Sequence, residues 1–158
     1  MKKLIQHSWV NPIAGVALCA VLFAFTYLPG GHSVQVYLDN KLVLDQAVKF
    51  NAAAPKLWLD PADNARQLIV KYNECGRTVT GRALFIKDDK DKVLREWHYE
   101  GASTGFQESM SCAVKDIIVL KPKDNSGLKL YYSSKEFPEG QQVARVFIGN
   151  EKTAFNGR

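Results

Sequence analysis

Glu96, His98 and Glu100 stand two residues apart along the chain. At the period of a strand they share one face. One imidazole and two carboxylates form a ligand set that suits zinc. Strand neighbours two apart are too widely spaced for easy three-fold ligation, and no fourth ligand stands near in the sequence. Val93, Trp97 and Tyr99 form the opposite, apolar phase, so the polar trio is expected to be a wetted outer face. A second acidic group, Asp88, Asp89 and Asp91, invites comparison with a calcium loop. Calcium needs six to eight oxygens held in a turn. Lys90 and Lys92 sit among these carboxylates and oppose a cation, so a solvated hairpin tip is expected instead. The G-x-S-x-G run over 101–105 (GASTG) is read as a flexible loop rather than a nucleophile elbow, and no H-E-x-x-H occurs. No catalytic residue, metal ligand or cofactor site is assigned from these patterns, and an enzyme is not the expected reading.

Trp58, Trp97, Tyr99, Tyr131 and Tyr132 could supply a stacking platform for sugar rings; packing within sheets is the ordinary alternative. Trp58 is the best candidate for an exposed contact with a glycan or a partner, because Leu57 and Leu59 would face the other way. Beyond residue 33 the cysteines are Cys75 and Cys112. In the oxidising compartment that the N-terminal leader implies, such a pair is expected to form one disulfide. Its loop of about 37 residues would contribute up to roughly 4 kcal/mol in the chain-entropy model. Two separate buried thiols are the alternative. Without C-x-x-C or a neighbouring His, the pair does not read as a zinc site.

That leader is the uncharged run over 13–28, preceded by Lys2 and Lys3. Asn11-Pro12 reads as a helix start and Pro29-Gly30-Gly31 as a stop. A helix over 12–28 would be roughly 25 Å long, slightly short of a hydrocarbon core of about 30 Å. Trp9 and Tyr27 stand where interfacial aromatics would extend it. The run is longer than the usual signal-peptide core and has no A-x-A site, which favours an uncleaved anchor. Cleavage after Ser33 is the alternative. Leu18 before Cys19 does not make a lipobox, and Ala20 stands where a pilin start counted from Gly15 would need Glu. The cationic end should remain cytoplasmic and the bulk of the chain should lie outside.

Removing Lys2 and Lys3 leaves 19 cationic against 16 anionic residues, a mild net +3 without an Arg cluster. Nucleic acid is excluded as a partner on charge and on location. Beyond residue 33 about 125 residues remain, one domain's length and enough to bury a core. The whole chain divides into a leader and tether (1–33), an exported domain (34–150) and a polar tail (151–158).

Within the domain, Val34, Val36 and Leu38 alternate with polar neighbours, and Asp39-Asn40 signals a hairpin turn. Residues 51–67 break the alternation, with a short strand expected around Leu57–Leu59 and a turn at Pro61–Ala65. Leu68, Val70 and Tyr72 mark another strand. Residues 82–88 and 92–99 form the clearest hairpin. Met110–Leu120 is apolar on both phases and reads as a long central strand. Leu128–Tyr132 and Ala144–Gly149 complete the set. Seven or eight short strands with turns between them predict an all-β, antiparallel two-sheet sandwich, immunoglobulin-like or jelly-roll-like. The expected function is a non-catalytic module that binds or braces another envelope protein. It would be held at the bacterial inner membrane with its domain on the periplasmic side. The alternative is a soluble periplasmic or secreted ligand-binding domain, for glycans among others, with a cleaved leader.

Overall fold

The computed structural model describes residues 31–50 and 52–149. The expected membrane or signal helix and the polar tail lie outside the described residues. Among those residues no helix is long and apolar enough to cross a membrane.

The chain runs through β1 (Ser33–Leu38), β2 (Lys41–Ala47), β3 (Lys56–Leu59), a 3-10 turn (Pro61–Ala65), β4 (Gln67–Asn73), β5 (Thr78–Val79) and β6 (Arg82–Lys87). It continues through β7 (Val93–Tyr99), β8 (Ser103–Thr104), β9 (Met110–Ala113), helix α1 (Val114–Ile118), β10 (Leu128–Ser133) and β11 (Gln141–Ile148). One sheet has the order β2-β1-β4-β9 and a second the order β3-β11-β10-β6-β7; β5 and β8 form a small third ladder. The protein is thus all-β in several sheets, consistent with a sandwich.

The core follows from the two-residue period. Val34 and Val36 on β1, Leu68, Val70 and Tyr72 on β4, Leu84 and Ile86 on β6, and Leu128, Leu130 and Tyr132 on β10 join one buried cluster. Burying each such aliphatic side chain contributes about 1.5–3 kcal/mol relative to leaving it exposed. A one-residue slip of any of these strands would turn its whole set to solvent, so burial fixes the register. Asp39 adopts φ +51° in the first turn and accepts from the Gln67 amide at 2.9 Å through Oδ1. That bond ties the first hairpin to the start of β4.

The structure corrects three expectations. Met110–Leu120 is not one strand: β9 stops at Ala113 and α1 follows. The apolar residues that fit both strand phases also fit a helical spacing, and Val114 and Ile117, three apart, are the buried pair. The Val114 amide donates to the Arg66 carbonyl at 3.0 Å, which docks the helix start against the 3-10 turn. Val119, which a central strand would bury, is 76% exposed. Second, the larger sheet is not wholly antiparallel, because β3 pairs with β11 in parallel. The chain passes from the first sheet to the second between β2 and β3, and β3 takes the edge of the larger sheet beside β11.

Third, no disulfide joins Cys75 and Cys112. Cys112 is paired with Leu68 near the start of β4, whereas Cys75 lies beyond Asn73 at its far end. At about 3.3 Å per residue, Leu68 to Asn73 alone spans roughly 17 Å. A disulfide needs Cα atoms within about 7 Å. Cys112 is 3% exposed and faces the core, where burial pushes its thiol up to about 12.

Candidate functional site

The polar trio considered for zinc lies on β7, an edge strand. His98 Nε2 and Glu96 Oε1 are 3.3 Å apart with both side chains open to solvent, and Glu100 is exposed. Trp97 and Tyr99, on the other phase, pack against the core. Among the described residues no three His, Cys, Asp or Glu gather as a metal group. The three aspartates of the β6–β7 tip each have a partner. Asp88 Oδ1 accepts from the amides of Lys90 and Lys92, both at 2.9 Å. Asp89 pairs with Arg145 and Asp91 with Lys129, each at 2.8 Å. The hydrogen bond from Lys129 holds the Asp91 carboxyl below its usual value. The tip is therefore strapped to β10 and β11.

Trp58 lies on the outer face of the larger sheet, as the burial of Leu57 and Leu59 requires. It is partly exposed, and its indole stacks on Phe147 of the neighbouring strand at 4.9 Å and 27°. Lys56 and Arg145 lie over the Phe147 ring at 5.9 and 5.8 Å. Farther across the same face Phe85 and Tyr131 stack at 5.6 Å, with Lys87 Nζ 4.4 Å from the Tyr131 centroid. Trp58 thus offers at most one open ring face.

The densest polar arrangement stands where β1 begins, at the His32 end of the body. Glu74 is 2% exposed. Its Oε1 accepts from the Tyr132 hydroxyl at 2.9 Å and the Ser134 hydroxyl at 2.7 Å. Buried polar groups need such partners, since an unpaired one costs about 1–3 kcal/mol. The Tyr132 ring stacks on Tyr72 at 3.9 Å and 13°, and Tyr72 Oη shares a 3.0 Å hydrogen bond with His32 Nδ1. One chain of contacts thus runs from the buried carboxyl to the surface imidazole. Burial pushes both phenols well above their usual value, and Glu74 adds to each shift. Burial also holds His32 below its usual 6.5, with Glu74 opposing and Arg77 reinforcing the shift.

His32 is ringed by aromatics. Its imidazole meets Phe50, Tyr72 and Phe137 edge to face at 5.1, 5.7 and 5.7 Å. Phe50 and Phe137 meet at 6.0 Å. Phe137 is positioned by a closed loop: its amide donates to Ser134 Oγ at 3.0 Å, and Glu136 accepts from the amide and hydroxyl of Thr80. Gly140 completes the loop at φ +70°, where a Cβ would stand 2.6 Å from the Tyr132 carbonyl oxygen. Beside the aromatics opens a recess of about 330 Å³, lined by Gln46, Val48, Lys49, Ala53, Pro55 and Gln141 among others. Phe50, the residue after the lining Lys49, is 53% exposed.

Sequence reasoning passed over His32, Phe50, Tyr72, Glu74, Tyr132, Ser134 and Phe137 as a group, because they lie on five separate stretches. One signal was available. Glu74 continues the phase of Leu68, Val70 and Tyr72, so an acidic residue follows on the buried face of a strand. A scan of protein-family models finds no match to this chain, and a search of curated proteins finds no relative.

Proposed function

We propose that the chain is a non-catalytic, membrane-tethered module of the bacterial cell envelope, built as an antiparallel-dominated β-sandwich. It binds or braces another envelope protein through the His32 end of its body. Phe50 is the observation that supports this most. A single exposed apolar side chain is ordinary. Here the exposed ring meets two others, His32 and Phe137, edge to face, and its chain neighbours Val48 and Lys49 line a recess supplied with glutamine amides. Rigid aromatic anchors beside pockets carry most of the energy in protein interfaces. The buried polar network beneath them fixes their positions before any partner arrives, which lowers the ordering cost of binding.

The tether agrees with this choice of surface. Residues 29–33 reach at most roughly 17 Å when extended, and they lead into the His32 end. An anchor over 13–28 would keep that end close to the membrane and to proteins embedded there. The test is to solubilise membranes gently and isolate the full chain and its Phe50→Asp variant side by side. A stoichiometric envelope protein should accompany the native chain and be lost from the variant. Isolation of both as lone monomers refutes the proposal.

One observation favours a second reading, a soluble periplasmic or secreted glycan-binding domain. The partly exposed Trp58 indole is braced by Phe147, whose own ring carries Lys56 and Arg145. That reading requires a mature chain starting at Val34, which mass spectrometry detects, and glycan retention that Trp58→Ala abolishes.

A further inference from the structure

The outer face of the larger sheet carries a row of four cations. Arg145 on β11 stands opposite Lys56 on β3 and opposite Lys129 on β10, and Lys129 stands opposite Lys87 on β6. Residues directly opposite across strands share a face, and the burial of Leu57, Ile86, Leu130 and Ala144 on the other phase turns all of them outward. At about 4.8 Å per strand the row is roughly 14 Å long. These strands contain no Asp or Glu. Like charges facing each other across strands are destabilising, and only the middle pair is met: Asp89 reaches Arg145 and Asp91 reaches Lys129, both from the β6–β7 tip. Lys56 and Lys87 form no ion pair among the described residues.

Aromatic rings flank the row on both sides. Trp58 and Phe147 stack on one side, two residues beyond Lys56 and Arg145. Tyr131 and Phe85 stack on the other, where Lys87 Nζ lies over the Tyr131 ring at 4.4 Å. The partly exposed Trp58 therefore carries the more open ring, on the same face as Lys56. The tip shows what chemistry the row accepts, since its own carboxylates already sit there. The straight row fits a linear anion, and the indole beside it fits a flat sugar ring. We propose that this face binds a linear carboxylated polysaccharide, with carboxylates along the cation row and one pyranose on Trp58, and that the β6–β7 tip competes as an internal stand-in. The proposal rests on the Trp58 platform of the second reading above and adds the charge of the ligand; it does not require a cleaved leader.

Biolayer interferometry of the full chain in detergent tests this on immobilised polygalacturonate, polyglutamate and neutral dextran. Saturable binding to polygalacturonate is expected, weakening as salt screens the charges. Lys56→Gln/Lys87→Gln should weaken it about fivefold, and Trp58→Ala should weaken it as well. Asp89→Asn/Asp91→Asn should strengthen it by uncovering Arg145 and Lys129. Lys41→Gln/Lys115→Gln removes the same charge from exposed positions elsewhere and should change nothing. Equal losses in the two lysine pairs would reduce the binding to general basicity and overturn the proposal. Polyglutamate bound as tightly, with Trp58→Ala without effect, would assign the row to an acidic protein and overturn it too. Dextran bound through Trp58 without preference for polygalacturonate would leave the second reading standing and refute this one, whereas no glycan binding at all would refute both.

Discussion

The rings of Tyr72 and Tyr132 lie 3.9 Å apart and within 13° of parallel, one from each of the two large sheets. Their hydroxyls take different partners: Tyr132 reaches the buried Glu74 and Tyr72 reaches His32. The pair therefore joins the sheets and couples the core to the surface aromatics. Tyr132→Phe keeps the stack and removes one of the two hydroxyl donors to Glu74. We expect a loss of about 1–3 kcal/mol, read as a shift of the urea midpoint at constant m-value. A change under about 0.5 kcal/mol would mean that the hydroxyl has no share in holding the carboxyl.

The same network makes stability depend on pH in a defined direction. His32 binds its proton less readily in the folded chain than at the ordinary 6.5. As pH falls through 6.5 the unfolded chain takes up a proton that the folded chain still refuses, so folding weakens. The contribution is complete above 6.5, is lost on acidification below it, and levels off once the folded imidazole also titrates. Glu74 and Arg77 face the ring with opposite effects and set the depth of the window. Unfolding midpoints between pH 7.5 and 5 should decline in the native chain and decline less in His32→Gln. Parallel profiles would contradict the assignment.

Cys112 supplies a chemical test of the fold. Its thiol is 3% exposed and raised to about 12 by burial, and only thiolate reacts readily. It should resist alkylation in the native protein at pH 8 and react on unfolding. Peptide mapping without reductant should recover no Cys75–Cys112 cross-linked peptide. Such a peptide in good yield would show that β4 and β9 are paired differently from the register described.

Much of the architecture is legible in the chain because one period governs it. Val34, Val36 and Leu38, then Leu68, Val70 and Tyr72, alternate so regularly that strand and buried face are read together. The failures have physical reasons. At 110–120 both phases are apolar, and Val114 and Ile117 serve a short helix as well as a strand. The parallel pairing joins β3 near the start of the domain to β11 near its end, a long-range relation that no local pattern encodes. The disulfide expectation weighed compartment chemistry against no geometry, and the register of Leu68 with Cys112 supplied that geometry. The His32 end was unreadable because its members meet only after folding.

The central claim is that the His32 end is a contact surface for an envelope protein, and site-specific photo-crosslinking in intact membranes tests it most directly. A photoreactive side chain replaces Phe50 in the full-length chain, and in a separate variant Glu96 on the exposed β7 edge. Either exposed substitution should change stability by no more than about 0.5 kcal/mol. The account predicts one discrete adduct with an envelope protein from position 50, and none from position 96. No adduct from position 50, or the same adducts from both positions, would contradict it.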